Sequence, residues 1–133
     1  MDYVIEHDKD KQLITVTAMG KWELKQDNEM IRQILQAVEE SSSKKVLVDI
    51  RELHFDLPML HLYERAQGLR QQRLGLKVTS RRVALVYSVV TKKLDGDLLF
   101  FETAARNRNL PYRVFKDIEK ARVWLDEIET PAI

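Results

Sequence analysis

The chain of 133 residues has no cysteine, only four glycines and only three prolines. Without cysteine, disulfides, thiolate nucleophiles and thiolate-ligated metals are excluded, so any nucleophile or ligand must come from another residue type. The scarcity of glycine and proline leaves little sequence for long irregular tracts. No stretch approaches the roughly 18 consecutive apolar residues of a spanning helix. The start, Met1-Asp2-Tyr3-Val4, lacks the basic and then apolar regions of an export signal, and a cytoplasmic protein is the default expectation. Neither charge sign is in excess: 22 Lys and Arg face 21 Asp and Glu, for a net charge of +1.

What is present is the balance of one ordinary folded domain spanning residues 1–133, with 44% apolar and 32% charged residues. The charges are unevenly placed. Between His61 and Lys93 eight Lys and Arg accompany the single acid Glu64, whereas residues 1–60 carry twelve acids and eight bases. Faces of opposite sign are expected.

Residues 3–7 and 13–19 are short β-favouring runs around the charged turn Asp8-Lys9-Asp10-Lys11-Gln12, which predicts an antiparallel hairpin. Alternation in the second run points Ile14, Val16 and Ala18 at the core, and Gly20 is expected to release the chain. Across residues 25–40, Ile31, Ile34, Leu35 and Val38 recur at helical spacing, and three serines, 41–43, end that helix. Val46-Leu47-Val48-Asp49-Ile50 and Val83-Ala84-Leu85-Val86-Tyr87 lack polar alternates, as strands buried on both faces do. Between them Pro58, with Asp56 as cap, opens a helix that reaches about Leu74 and stops at Gly75. A third helix is predicted over 95–107 and a last strand over 112–115. Asp117 then caps a fourth helix with Ala121, Trp124, Leu125 and Ile128 on its apolar face.

The order β-β-α-β-α-β-α-β-α predicts an α/β fold with a mixed, mostly parallel sheet, one antiparallel edge strand and right-handed crossovers carrying the helices. Two aliphatic strands bridged by a helix should pair in parallel.

This order resembles the STAS-like family, related to bacterial anti-anti-sigma factors. So do Gly20-Lys21 before the first helix, the run from Val46 to Ile50, Phe101-Glu102-Thr103-Ala104-Ala105-Arg106, and the stretch from Arg113 to Leu125. The likeness is greatest to the SpoIIAA-like branch, whose β-α superhelix also occurs in lipid-carrying CRAL-TRIO domains. The resemblance implies a non-catalytic regulatory or protein-interaction module without a cofactor. In anti-anti-sigma factors the turn after the central strand carries a phosphorylatable Ser or Thr. Here the corresponding stretch, from Asp49 to Pro58, contains no hydroxyl, so that switch does not carry over. Asp56 could imitate a modified serine, but a helix cap accounts for it more simply.

No constellation marks an enzyme. His7, His54 and His61 match no metal-ligand spacing, and no G-x-S-x-G elbow or glycine-rich phosphate loop is present. Two binding stretches stand out. Leu57, Leu60 and Tyr63, rimmed by Arg70 and Arg73, exceed what one core stripe needs and suit a protein partner or a two-fold homodimer. Ser88, Thr91, Lys92 and Lys93 follow a parallel strand and precede a helix, where an anion would dock; a solvated loop is the plainer alternative. Nucleic acid is a poor partner, since no aromatic interleaves the bases between Arg65 and Arg82. The second functional reading is a small-ligand or lipid carrier, with a cavity lined by Met59, Leu62, Leu98 and Phe101.

Overall fold

The computed structural model describes residues 1–41, 43, 45–54, 82–88, 96, 99, 102–103 and 112–127. Strand β1 (Asp2–Asp8) turns back into β2 (Leu13–Lys21) through Lys9–Gln12. The turn is held by the Lys11 amide donating to Asp8 Oδ1 at 3.2 Å, and Gln12 takes the left-handed conformation at φ 50°. Helix α1 (Leu24–Ser41) leads to β3 (Lys45–His54). Then come β4 (Arg82–Val86), β5 (Tyr112–Phe115) and α2 (Ile118–Asp126). Gly96, Leu99, Glu102 and Thr103, within the predicted third helix, are helical. The second predicted helix, over 58–74, lies outside the described residues.

The five strands lie in the order β1-β2-β3-β4-β5, with β1 antiparallel to β2 and every other pair parallel. Val46 sits directly beside Val83, so the two aliphatic runs are adjacent and co-directional as their sequences predict. The same register aligns side chains in rows across the sheet. On one face Ile5, Val16, Val48, Leu85 and Val114 form such a row, and α1 covers it with Met30, Ile34 and Val38. Ile31 and Leu35 are buried as well, as the helical spacing requires. On the opposite face Leu47, Ala84 and Val86 pack against Ala121 and Leu125 of α2, with Phe115 and Trp124 at the margin. Fully burying each large aliphatic in these layers contributes about 1.5–3 kcal/mol.

Asp117 caps α2 as predicted, its Oδ1 accepting the Glu119 amide at 2.8 Å. Arg82 ties the end of the same helix to β4. Its guanidinium donates to the Trp124 carbonyl at 2.8 Å, reaches Glu127 at 3.2 Å and lies over the Trp124 ring, 4.8 Å from its centre.

Three local expectations are corrected. Gly20 does not release the chain: it stays in β2 at φ +88°, a conformation an L side chain resists, and the strand continues to Lys21. Strand β3 does not stop at Ile50 but runs to His54, because extended β2 gives it a partner along its whole length. Strand β4 ends at Val86 rather than Val89, and Ser88 is already exposed. The prolonged β3 contains an irregularity. Thr17 pairs with Asp49 but Met19 pairs with Glu52, so β3 holds one more residue than β2 over that interval. The extra residue reverses side-chain parity, and Leu53 therefore joins Val46, Val48 and Ile50 in the α1-side core.

Candidate functional site

Strands β2 to β5 run together, so one end of the sheet gathers their carboxyl termini: Lys21, His54, Ser88 just beyond β4, and Phe115 leading to the cap Asp117. This is the end at which open α/β sheets take their ligands. It is stitched by backbone bonds across neighbouring strand ends, the Trp22 amide donating to the His54 carbonyl at 2.9 Å and the Tyr87 amide to the Phe115 carbonyl at 3.0 Å.

The bulge in β3 approaches this end and carries the strongest ion pair among the described residues. Asp49 Oδ1 accepts the Arg51 amide at 3.1 Å and its Nε at 2.9 Å, and Oδ2 accepts Nη2 at 2.7 Å. Such a bidentate fork fixes both side chains and satisfies the backbone N–H of a residue in the bulge. Burial works to raise the Asp49 pKa. The hydrogen bonds and charge of Arg51, with a contribution from Arg122, outweigh it and hold the carboxyl below its ordinary value. The Arg51 guanidinium is correspondingly pushed up. Asp49 was visible in the sequence only as the polar residue of an apolar run; its clamp depends on the bulge, which has no signature of its own.

The histidines are separated. His54 ends β3 at the carboxyl end of the sheet, whereas His7 lies beside Ile14 at the amino end of β2; His61 is outside the described residues. His7 meets a serine that no linear motif connects to it: its Nε2 is 2.8 Å from Ser43 Oγ, a distance suited to nucleophile and base. Ser43 has no solvent exposure and also bonds Ser41 Oγ at 3.0 Å, while the Ser41 hydroxyl donates to the Ala37 carbonyl. A carbonyl substrate has no path to that hydroxyl. The pair ties β1 to the end of α1. No group of three His, Asp or Glu side chains suited to a metal occurs among the described residues.

Of the predicted anion loop, Ser88 is exposed at the carboxyl end of the sheet; Thr91, Lys92 and Lys93 lie outside the described residues. So do the docking residues Leu57, Leu60, Tyr63, Arg70 and Arg73, and the carrier-cavity residues Met59, Leu62 and Phe101.

Comparison with solved structures finds the same arrangement in an anti-sigma factor antagonist from Mycobacterium paratuberculosis, with a TM-score of 0.57 over 93% of this chain and 92% of that one at 11% identity. The chain has a STAS-like fold. No protein-family model and no curated protein matches it. At that identity the shared property is architecture: a five-stranded, mostly parallel sheet with an antiparallel edge. Among the described residues no helix is long and apolar enough to cross a membrane.

The hydroxyl-free stretch expected after the central strand starts later than its sequence suggests, since Asp49–His54 belong to β3. The shift does not restore a serine or threonine, because none occurs from Arg51 through Val78.

Proposed function

We propose that the chain is a non-catalytic regulatory module of STAS type, acting in the cytoplasm by docking a protein partner or a second copy of itself. The likeness in fold to an anti-sigma factor antagonist along nearly the whole chain supports this reading more than any other observation. The arrangement of potential nucleophiles and bases agrees with it: Ser43 is sealed beside His7, and the Asp49 carboxylate is occupied by Arg51.

In this reading the docking surface follows the carboxyl end of β3, through Leu57, Leu60, Tyr63, Arg70 and Arg73. The absence of Ser and Thr from Arg51 through Val78 means that phosphorylation within this stretch does not control docking. Regulation then comes from the supply of partner, and Asp56 serves as a helix cap.

The test is affinity capture with the tagged chain, compared with Leu60→Asp and Arg70→Glu, together with the light-scattering mass of each protein. The reading expects a specific protein or a dimer with the parent chain and its loss with both variants. Identical captured proteins and masses for all three would remove the proposed surface. A parent chain that stays monomeric and captures no protein would remove the module reading itself.

A further inference from the structure

The α2 side of the sheet is covered over only half its width. Helix α2 lies over β4 and touches β3 and β5 on its flanks. The same face of β1 and β2 presents the cross-strand pairs Asp2 and Met19, Val4 and Thr17, Glu6 and Thr15, and Asp8 and Leu13. All four β1 residues are exposed, Val4 to 49%, and the four β2 residues are part-buried. Between this surface and α2 runs an open trough of about 830 Å³, floored by Leu13 and Thr15 and walled by Glu119 and Arg122.

The spacings of secondary structure say what fits there. Strands are about 4.8 Å apart and packed helices about 8–10 Å apart, so the helix position next to α2 falls two strands from β4, over β2. The nine residues of β2 extend about 30 Å, the length of some 20 helical residues. A helix laid over β2 would place its seam on Leu13, Thr15, Thr17 and Met19, all neutral and none large enough to fill the space. Its outer flank would follow Asp2, Glu6 and Asp8.

Charge selects the occupant. Arg122 is paired with Glu119, whereas Asp2 and Glu6 have no ion pair among the described residues. Lys9 and Lys11 are confined to the turn at one end. A second copy applied by a two-fold axis through this face would set one acidic row against another, which disfavours it. We propose that the uncovered half-face over β1 and β2 is a docking site for an amphipathic helix of a protein partner, with an apolar seam on β2 and lysines or arginines along the flank facing β1. The proposal deepens the interaction-module reading and uses a surface separate from Leu57 to Arg73.

The test is a 1H–15N titration of the full chain with an 18-residue amphipathic helical peptide carrying a Leu and Ala seam and Lys flanks. The amides of Val4, Thr15, Thr17 and Met19 should shift together. The Asp2→Lys, Glu6→Lys double variant should weaken binding about tenfold, corresponding to about 1.4 kcal/mol, with its unfolding midpoint retained. Asp2→Asn with Glu6→Gln should cause a smaller loss, and a peptide with Glu in place of Lys should not bind. Shifts confined to other surfaces, or equal affinity for the charge-reversed variant, would overturn the site. Concentration-dependent shifts of the same amides without peptide would overturn the choice of occupant in favour of a second copy. Failure of cellular capture alongside these peptide results would count against the module reading and leave the site standing.

Discussion

On the α1 side the row Ile5, Val16, Val48, Leu85 and Val114 is apolar from one edge of the sheet to the other. On the α2 side, one residue along each strand, the row Glu6, Thr15, Leu47, Ala84 and Arg113 is apolar only in the middle. The same backbone alternation produces both rows. The difference lies in cover: the first row is part of a continuous core, while α2 reaches β3 to β5 and stops. Composition follows cover strand by strand, because a side chain contributes burial energy only where another layer removes it from water. A β-strand in this protein can therefore have one committed face and one available face, and the available face is where binding surface can exist without loss of stability.

The largest expected effect breaks the equivalence of the two rows. Leu85→Ala, in the covered row, should cost about 2–5 kcal/mol of unfolding free energy, whereas Thr15→Ala, on the uncovered half-face, should change it by less than about 0.5 kcal/mol. Equal losses in denaturant titrations would mean that the open half is packed after all. The next effect concerns the α2 layer alone. Asp117→Ala removes the cap and should lower stability by about 0.5–2 kcal/mol. The chain has two tryptophans, Trp22 against the α1-side core and Trp124 against the α2-side cluster. With Trp22→Phe, fluorescence reports α2 directly, and in the Asp117→Ala background the Trp124 signal should change before far-ultraviolet circular dichroism does. Coincident transitions would show that the two layers unfold as one.

A smaller effect is expected where β1 is tied to α1. Ser43→Ala removes the bonds to His7 and Ser41 and should cost about 1 kcal/mol, with faster hydrogen exchange along β1 than along β4. Uniform exchange would show that the pair does not hold that edge. The smallest effect is pH-dependent. Because the folded pKa of Asp49 lies below its unfolded value, its contribution is fully present above the unfolded carboxylate pKa and is lost as pH falls through the folded one. Arg51 is exposed enough for solvent to screen the pair, so Asp49→Asn should remove less than about 1 kcal/mol at neutral pH. It should also flatten the acid limb of the stability curve below about pH 4. An unchanged acid limb would show that the clamp contributes nothing to stability.

The parts of the fold legible in the sequence are those set by local pattern. Ile14, Val16 and Ala18 alternate inward, Ile31, Ile34, Leu35 and Val38 repeat at helical spacing, and Asp117 precedes a helix it caps; each shows no more than 8% exposure or the expected bond. The unbroken aliphatic runs at Val46 and Val83 were enough to predict parallel neighbours, since only strands covered on both faces tolerate such composition. The candidate sites were less legible. Predicted docking and anion-binding residues came from surplus apolar and basic residues in stretches that fall almost wholly outside the described residues, while the open half-face over β1 and β2 looked in sequence like ordinary polar alternation.

Sequence alone determined where strands and helices form and which side of each is apolar, because those properties depend on neighbours within a few positions along the chain. Tertiary structure alone decided four things. It placed a bulge in β3 that returns Leu53 to the core and lets Arg51 clamp Asp49. It buried Lys45 to 2% exposure beside Asp126 at 3.3 Å, joined His7 to Ser43, and left half of one sheet face without a helix. Each of these depends on residues far apart in the chain and on how many layers the chain can supply, and neither is encoded in local periodicity.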